Sequence, residues 1–332
     1  MPDPASDKPE RRPHYAGKNP RHFSEKYKEH APGRYAEDVE KILASGKTPA
    51  GTHRPILLRE ILEVLAPKPG DLIVDGTLGY GGHAREILAA IQPGGRLIGL
   101  DADPLELPKT EARLRALGFG PETFTAHRTN YAGLAKLLPE PADAILADLG
   151  LSSMQMDNPA RGFTFKHDGP LDLRMNPQRG LPASALLATL DAARLAALLV
   201  ENADEPDAVS LARAILREPV ASTVQLARII RDAGGNDDAI RRVFQALRIA
   251  VNDEFSALDT FLRQLPLCLK PGGRVAILSF HSGEDRRVKK AFQAGARDGT
   301  YRAVAPDVVR ASAAEIRANP RASSAKLRWA AR

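Results

Sequence analysis

Between residues 51 and 150, short solid apolar runs alternate with longer amphipathic ones. In "THRPILLREILEVLA", Ile56, Leu57, Ile61, Leu62 and Leu65 recur at helical spacing, with Thr52 or His53 placed to cap the helix. "DLIVDGT" (71–77) predicts a buried strand, "HAREILAAI" (83–91) a helix and "RLIGLDAD" (96–103) a second strand. "PLELPKTEARLRAL" predicts a helix delayed by Pro108, since proline is tolerated only in a first turn. Strands at "ETFTAHRT" (122–129) and "ADAILADLG" (142–150) complete a βαβα rhythm, the pattern of an α/β, doubly wound, mostly parallel sheet.

The rhythm stops at about residue 155. Up to residue 268 the pattern is helical throughout, and three of the helical runs open on cap residues, Asp191, Ser222 and Asn236. Strand patterns return at "GGRVAILSF" (272–280), "TYRAV" and "AKLRWAA". Three parts are therefore expected. Residues 1–50, rich in Pro, Lys, Arg, Glu and Gly, form a flexible N-terminal extension. Residues 51–154 with 269–332 form the α/β domain, and residues 155–268 an inserted all-helical domain.

Composition narrows the class. The 332 residues, 43% hydrophobic and 27% charged, fit a globular chain of two domains. No apolar run approaches the ~18 residues of a membrane span, and "MPDPASDKPERRPHY" lacks the apolar core of a signal peptide. A cytoplasmic protein without membrane contact is expected. Cys268 is the only cysteine, which leaves no internal disulfide and no cysteine-based metal site; no metal is expected. The net charge of +6 is concentrated: residues 281–332 hold 12 Lys/Arg against 5 Asp/Glu. Such an end is either a solvated face or an edge that meets a polyanion.

The chemistry starts at "DGTLGYGGH" (75–83). Gly79, Gly81 and Ala84 fit the spacing G-x-G-x-x-A of a nucleotide-binding turn after a strand, and Asp101 ends the next strand, where a carboxylate accepts both ribose hydroxyls of an adenosine. Asp75 decides between ligands. A dinucleotide sets its pyrophosphate against this turn, and an adjacent carboxylate repels it. S-adenosylmethionine has no phosphate; its ammonium and sulfonium suit Asp75, and the amides at Gly81 and Gly82 suit its carboxylate. The turn therefore fits S-adenosylmethionine better than NAD. At the end of the fourth strand stands Asp148. An acceptor there can hold the N–H of an exocyclic base amine and free its lone pair for attack on a methyl group; the same residue can equally cap a turn or orient the cofactor.

"DLGLSSMQMDNPARGFTFKHDGPLDLRMNP" (148–177) closely resembles a block of the bacterial small-subunit rRNA cytosine-N4 methyltransferases, the RsmH/MraW family, as do "DGTLGYGGHAREIL", "VFQALRIAVNDE", "ILSFHSGEDRRVKKAF" and "NPRASSAKLR". The blocks run in family order from about Thr52 to Arg328. The resemblance implies a class I (Rossmann-like) S-adenosylmethionine methyltransferase with an inserted helical domain that recognises substrate. It also implies methylation of N4 of one cytidine in the decoding (P-site) region of 16S rRNA, on assembled or nearly assembled small subunits. Cofactor contacts carry over to Gly81, Gly82, His83, Asp101, Asp148 and Gln155, and Tyr131 matches an aromatic position beside the adenine. "RGFTF" and "DGPLDLRM" bring Phe163 and Phe165 for packing or base stacking, and two arginines, Arg174 among them, for phosphate or ion-pair contacts. After the fifth strand, Ser279 and His281 are expected to face the crevice, His281 as a weaker candidate base, and Arg286, Arg287, Lys289 and Lys290 to begin a basic helix toward RNA.

Three departures stand out. The family usually has an aliphatic residue where this chain has Gly283, Gly-Glu-Glu where it has "ADEP" (203–206), and a second arginine where it has Ser323. They are expected to loosen a helix start, to loosen a turn and to remove one charge. Two other classes compete with the leading one: an NAD-dependent oxidoreductase and a ribosome-assembly factor without catalysis. The sequence carries no sign of oligomeric state.

Overall fold

The computed structural model describes residues 55–332, and the expected N-terminal extension and the caps Thr52 and His53 lie outside them. In chain order the elements are α1 (Leu58–Leu65), β1 (Leu72–Asp75), α2 (Gly82–Ala90), β2 (Arg96–Asp101), α3 (Leu107–Ala116), β3 (Phe124–Arg128), β4 (Ala142–Asp148) and α4 (Ser153–Asp157). There follow α5 (Ala183–Thr189), α6 (Ala192–Ala203), α7 (Ala208–Ile215), α8 (Thr223–Asp232), α9 (Asp237–Asn252) and α10 (Glu254–Cys268). Then come β5 (Leu269–Ser279), α11 (Ser282–Arg297), β6 (Ala303–Val304), α12 (Ala313–Ala318) and β7 (Lys326–Ala331). A 3₁₀ turn, Tyr131–Lys136, lies between β3 and β4.

One sheet runs in the order β3-β2-β1-β4-β5-β7-β6. The first five strands pair in parallel, with Val74 of β1 opposite Ile98 of β2 and Ile145 of β4. β7 runs antiparallel between β5 and β6. All four residues of β1 are buried, as expected of a parallel strand covered on both faces. On one face α1 and α2 bury Ile61, Leu65, Ile87 and Leu88 against Ile73, Leu97 and Leu146. On the other, α10 and α11 bury Phe261, Leu265, Val288 and Phe292 against Val74, Ile145 and Ile277. The α/β, doubly wound, class I arrangement is thus observed.

The order reverses between β1 and β4, because β2 lies on one side of β1 and β4 on the other. Such a switch point opens a crevice outside the carboxyl ends of the strands. Asp75, Asp101 and Asp148 are the last residues of β1, β2 and β4, so all three stand at this edge.

Between β4 and β5 the described residues form helices and irregular segments, apart from an isolated bridge between Pro170 and Ser222. α5 to α9 enclose their own core around Leu195, Leu211, Ile240 and Leu247. α10 packs instead on the sheet, so the sheet core draws on Leu258, Phe261 and Leu265, which the sequence pattern grouped with the inserted helices. The caps read from sequence form: Asp191, Ser222 and Asn236 accept the N–H of Arg194, Gln225 and Ala239 at 2.8, 3.3 and 3.0 Å. At α1 the expectation fails. Leu57 holds the N-cap position at φ 54°, and its N–H donates to Glu315 Oε1 at 2.8 Å, from 258 residues away. Helical spacing fixes a buried face, whereas this cap is tertiary.

Candidate functional site

The glycine turn is held open by its neighbours. Gly76 N–H donates to Leu146 O at 2.8 Å and Thr77 N–H to Asp75 Oδ1 at 3.1 Å, while Asp148 N–H donates to Thr77 Oγ1 at 2.6 Å. These bonds tie the ends of β1 and β4 into one floor. Asp101 Oδ2 accepts Gly79 N–H and its Oδ1 accepts Asp103 N–H, both at 2.8 Å, so the carboxylate expected to meet a ribose also shapes the turn. Gly81 takes φ 80°, and a Cβ on it would lie 2.9 Å from Thr110 Cγ2; one on Gly82 would lie 2.7 Å from Pro55 Cγ. Both positions are therefore held to glycine by their neighbours, and the Gly81 amide expected to meet the cofactor carboxylate is already donated to Leu78 O at 2.7 Å.

Burial pushes Asp75 up to about 7, Asp101 to about 6 and Asp148 to about 8, with Asp101 adding like charge at Asp75, Asp103 at Asp101 and Asp75 at Asp148. His83 reads differently from a charged partner. Its Nε2 lies 3.0 Å from Ile56 O, and a carbonyl only accepts, so Nε2 carries the proton. Nδ1 then presents a lone pair to Asp148 Oδ2 at 3.7 Å, and burial lowers His83 to about 4, so the imidazole is neutral. A cluster of acids short of positive charge at a strand-end crevice fits a cationic ligand.

The family model of the MraW methylase family matches residues 50–332. The chain belongs to this family. A relative from Alkaliphilus metalliredigens named ribosomal RNA small subunit methyltransferase H 2 is 49% identical over 345 residues, spanning 99% of each chain. Relatives named ribosomal RNA small subunit methyltransferase H 1 are 48% identical in Lachnoclostridium phytofermentans, over 96% of this chain and 92% of that one, and 46% identical in Agathobacter rectalis, over 97% of each. The protein is a methyltransferase, and its cofactor is S-adenosylmethionine. Family membership sets aside the NAD reading and the non-catalytic one. No helix among the described residues is long and apolar enough to cross a membrane.

In this methylase Asp75, Asp101 and Asp148 end their strands at the crevice edge, and Gly81 and Gly82 stand at the start of α2, after the turn. Tyr131 packs on Phe261 with ring centroids 5.1 Å apart, its hydroxyl kept protonated by burial and by Glu254 and Glu284 nearby. Gln155 is more committed than expected. Its Nε2 donates to Asp103 Oδ2 at 2.8 Å and its Oε1 accepts Ser152 N–H at 3.0 Å, so it braces the site and has one N–H left.

Several residues expected at RNA are committed to partners within the protein. Phe163 is only 9% exposed and belongs to the helical core, which removes it as a stacking ring, and Phe165, partly buried, packs on Phe244 at 5.6 Å. Arg174 is chelated by Asp172 at 2.7 and 2.8 Å. Ser279 is buried beneath β7, where its Oγ donates to Lys326 O at 3.3 Å. His281 caps α11 in a reciprocal box with Glu284, its Nε2 lying 3.2 Å from Glu284 Oε1. Arg286 pairs with Asp204 at 3.0 Å, and Arg287 with Asp259 at 3.5 Å while stacking 3.6 Å over Phe255. Lys289 and Lys290 are exposed, without a carboxylate partner among the described residues.

Sequence reasoning passed over a polar cluster between Tyr131 and α11. Arg248 grips Glu254 with two hydrogen bonds, 2.8 and 2.9 Å. Burial acts to raise Glu284, but His281, Arg248 and the Phe280 N–H outweigh it and hold the carboxyl below its usual range. Ligand atoms of Glu254, His281 and Glu284 fall within 4.8 Å of one another, close enough to share a cation, yet Arg248 already supplies the positive charge at Glu254. Arg248 with Glu254 and His281 with Glu284 are local pairs, but the two pairs come from distant segments that only the fold brings together.

The expected loosening at the family departures does not occur. Asp204 of "ADEP" holds Ser282 and Arg286, and buried Glu205 holds Arg242 at 2.8 Å. At Gly283 a Cβ would lie 2.6 Å from Phe255 Cζ, because the ring fills the space of a side chain there. Gly283→Leu is expected to destabilise the protein by ~1–3 kcal/mol through overpacking. Phe255→Leu in the same chain is expected to recover most of it. Urea unfolding of the two variants checks this, and additive losses would defeat the idea of an exchanged pair.

The raised carboxyls carry a pH prediction. Each binds its proton more tightly in the folded protein than in the unfolded chain. Their contribution to stability is therefore present below the usual carboxylate range and is lost as pH rises from about 4 through about 8. A cation in the crevice favours the ionised forms, so cofactor binding is expected to release protons between pH 6 and 8 and to strengthen as pH rises. Calorimetry in two buffers of different ionisation enthalpy measures the release, and Asp148→Asn is expected to reduce it. An identical release from that variant would remove Asp148 from the account.

Proposed function

We propose that this methylase transfers a methyl group to the exocyclic N4 of one cytidine in the decoding (P-site) region of small-subunit 16S rRNA, acting on assembled or nearly assembled subunits. The observation that carries the reading is Asp148, ending β4 beside the glycine turn, with Asp75 behind it and His83 neutral at its flank. The relatives named as rRNA small subunit methyltransferases support the RNA class, and a cytoplasmic location follows from that substrate.

Bound in the crevice, S-adenosylmethionine supplies an electrophilic methyl on a sulfonium sulfur. Asp148 accepts an N–H of the cytosine amine, which draws the nitrogen out of conjugation and aims its lone pair in line. With its pKa raised to about 8, the ionised carboxylate is a stronger base than usual and takes the proton that the alkylated nitrogen must lose. Thr77 fixes the backbone of Asp148. His281, tied to Glu284, holds the start of α11 rather than the substrate.

Residues 51–154 and 269–332 provide the methyl-transfer site on this reading, and residues 155–268 recognise substrate, with Lys289 and Lys290 meeting phosphate. One base contact set discriminates by only ~1–3 kcal/mol, so a single cytidine must be chosen by shape read over a wide surface. Transfer of labelled methyl groups is expected to be fast on small subunits and poor on protein-free rRNA or a short hairpin. Nucleoside mass spectrometry of rRNA from a deletion strain is expected to lack one N4-methylcytidine. Unchanged rRNA modification in that strain would overturn the substrate.

A further inference from the structure

Two polar residues outside the cofactor turn, Arg161 buried and Asn252 partly buried, hold one short segment from opposite sides. Arg161, only 7% exposed, donates Nη1 to Asp103 Oδ2 at 2.7 Å, and Nη2 to Arg174 O at 3.1 Å and Met175 O at 2.8 Å. Asn252, at the end of α9, donates Nδ2 to Leu173 O at 2.7 Å and accepts Met175 N–H on Oδ1 at 2.7 Å. The same Nδ2 reaches Arg248 O at 2.8 Å, next to the Arg248 pair with Glu254. Between these grips Leu173 sits at φ 63°, a left-handed conformation that a bulky residue adopts only when its surroundings impose it. The approach is tight as well: a Cβ on Gly162 would lie 2.3 Å from Pro170 O and 2.7 Å from Asp172 N.

The chain of contacts runs from one end of the site to the other. Asp101, at the ribose position, accepts the N–H of Asp103; Asp103, fully buried, holds Arg161 and Gln155; Arg161 holds residues 174 and 175; Asn252 holds residues 173 and 175 and leads to Arg248 and Glu254. A buried ion pair gives little net stability over apolar packing, and a fork that fastens two carbonyls to a carboxylate is well suited to fixing geometry.

We infer that Arg161 and Asn252 are positioning residues for methyl transfer: they lock the 172–175 turn to the strand end that bears Asp101, so that the acceptor side and the cofactor side of the crevice move as one body. This rests on the proposed function, with residues 172–175 on the substrate side. Neither residue touches reacting atoms; both act through backbone. Loss of either grip lets the strained turn relax, and the acceptor amine meets the methyl group at a wrong distance.

The test uses full-length protein carrying Arg161→Gln, Arg161→Lys, Asn252→Ser or the pair Asp103→Asn with Arg161→Gln. Thermal melting gives the folded fraction, calorimetry the cofactor Kd, and methyl transfer to small subunits kcat and KM per folded molecule. Arg161→Gln and Asn252→Ser are expected to lower kcat on the order of 10²-fold, the cost of a misplacement near 1 Å, with cofactor Kd close to wild type. Arg161→Lys, which keeps the charge toward Asp103, is expected to recover part of kcat, and the double variant to be no worse than Arg161→Gln. Variants that melt lower but turn over at the wild-type rate per folded molecule overturn the inference and leave the function intact. A wild-type protein unable to methylate small subunits overturns the function and this inference with it.

Discussion

Asp148→Ala is expected to lower methyl transfer by ~10²–10³-fold, the size of effect seen when one preorganised hydrogen-bonding group is removed from a reacting centre. The carboxylate stands at the end of β4, where the N–H of Asp148 is fixed by Thr77 Oγ1 at 2.6 Å, and burial, with Asp75 and Glu284 nearby, holds its proton affinity high. Both properties serve an amine acceptor: a fixed oxygen to receive N–H, and enough basicity to keep the proton afterwards. Asp148→Asn separates them. Its carbonyl still accepts N–H but takes no proton, so it is expected to fall between wild type and Asp148→Ala and to lose the pH dependence that ionisation of Asp148 gives kcat. The reading that Asp148 only orients the cofactor makes the opposite forecast, a weakened cofactor Kd with kcat preserved at saturation. Single-turnover rates with saturating cofactor, beside calorimetric Kd values, decide between the two.

Gly81→Val is expected to abolish cofactor binding while the fold survives. The residue sits at φ 80°, where a β-branched side chain is strained by ~1–3 kcal/mol before any contact is counted. Its Cβ would also press on Thr110 Cγ2 at 2.9 Å and on Leu114 Cδ1 at 3.4 Å. Thr110 is fully buried, and its Oγ1 donates to Gly79 O at 2.6 Å. Displacing it loosens Gly79, whose N–H holds Asp101, so one side chain disturbs the glycine turn and the carboxylate expected at the ribose together. Gly81→Ala is expected to show a milder form of the same defect. Calorimetric titration with thermal melting reads both; a folded Gly81→Val protein that binds the cofactor as wild type does would make the turn merely structural.

How far a residue's place was legible depended on the range of its contacts. The strands of the sheet, the change to helices after β4 and the caps at Asp191, Ser222 and Asn236 follow from apolar spacing and local hydrogen bonding, which act over a few residues. So do the three aspartates at the ends of β1, β2 and β4, because a strand followed by a turn puts its last residue at the sheet edge. The reading of Asp75 against a pyrophosphate needed only the sign of a charge.

The misplaced residues share the opposite property. Phe163, Ser279 and Arg174 are of types that serve equally in a core or at a surface, and their neighbours Leu171, Lys326 and Asp172 decided among those roles. The helix start at Leu57 waits on Glu315, and Gly283 on Phe255. By itself the sequence determined the fold class, the edge of the sheet that carries the chemistry and the kind of cofactor, since periodicity, turn glycines and charge sign are local quantities. Only the tertiary structure decided which side chains remain available there. Burial and partnership are set by the residues brought alongside from distant segments, as the grips of Arg161 and Asn252 on residues 173–175 show.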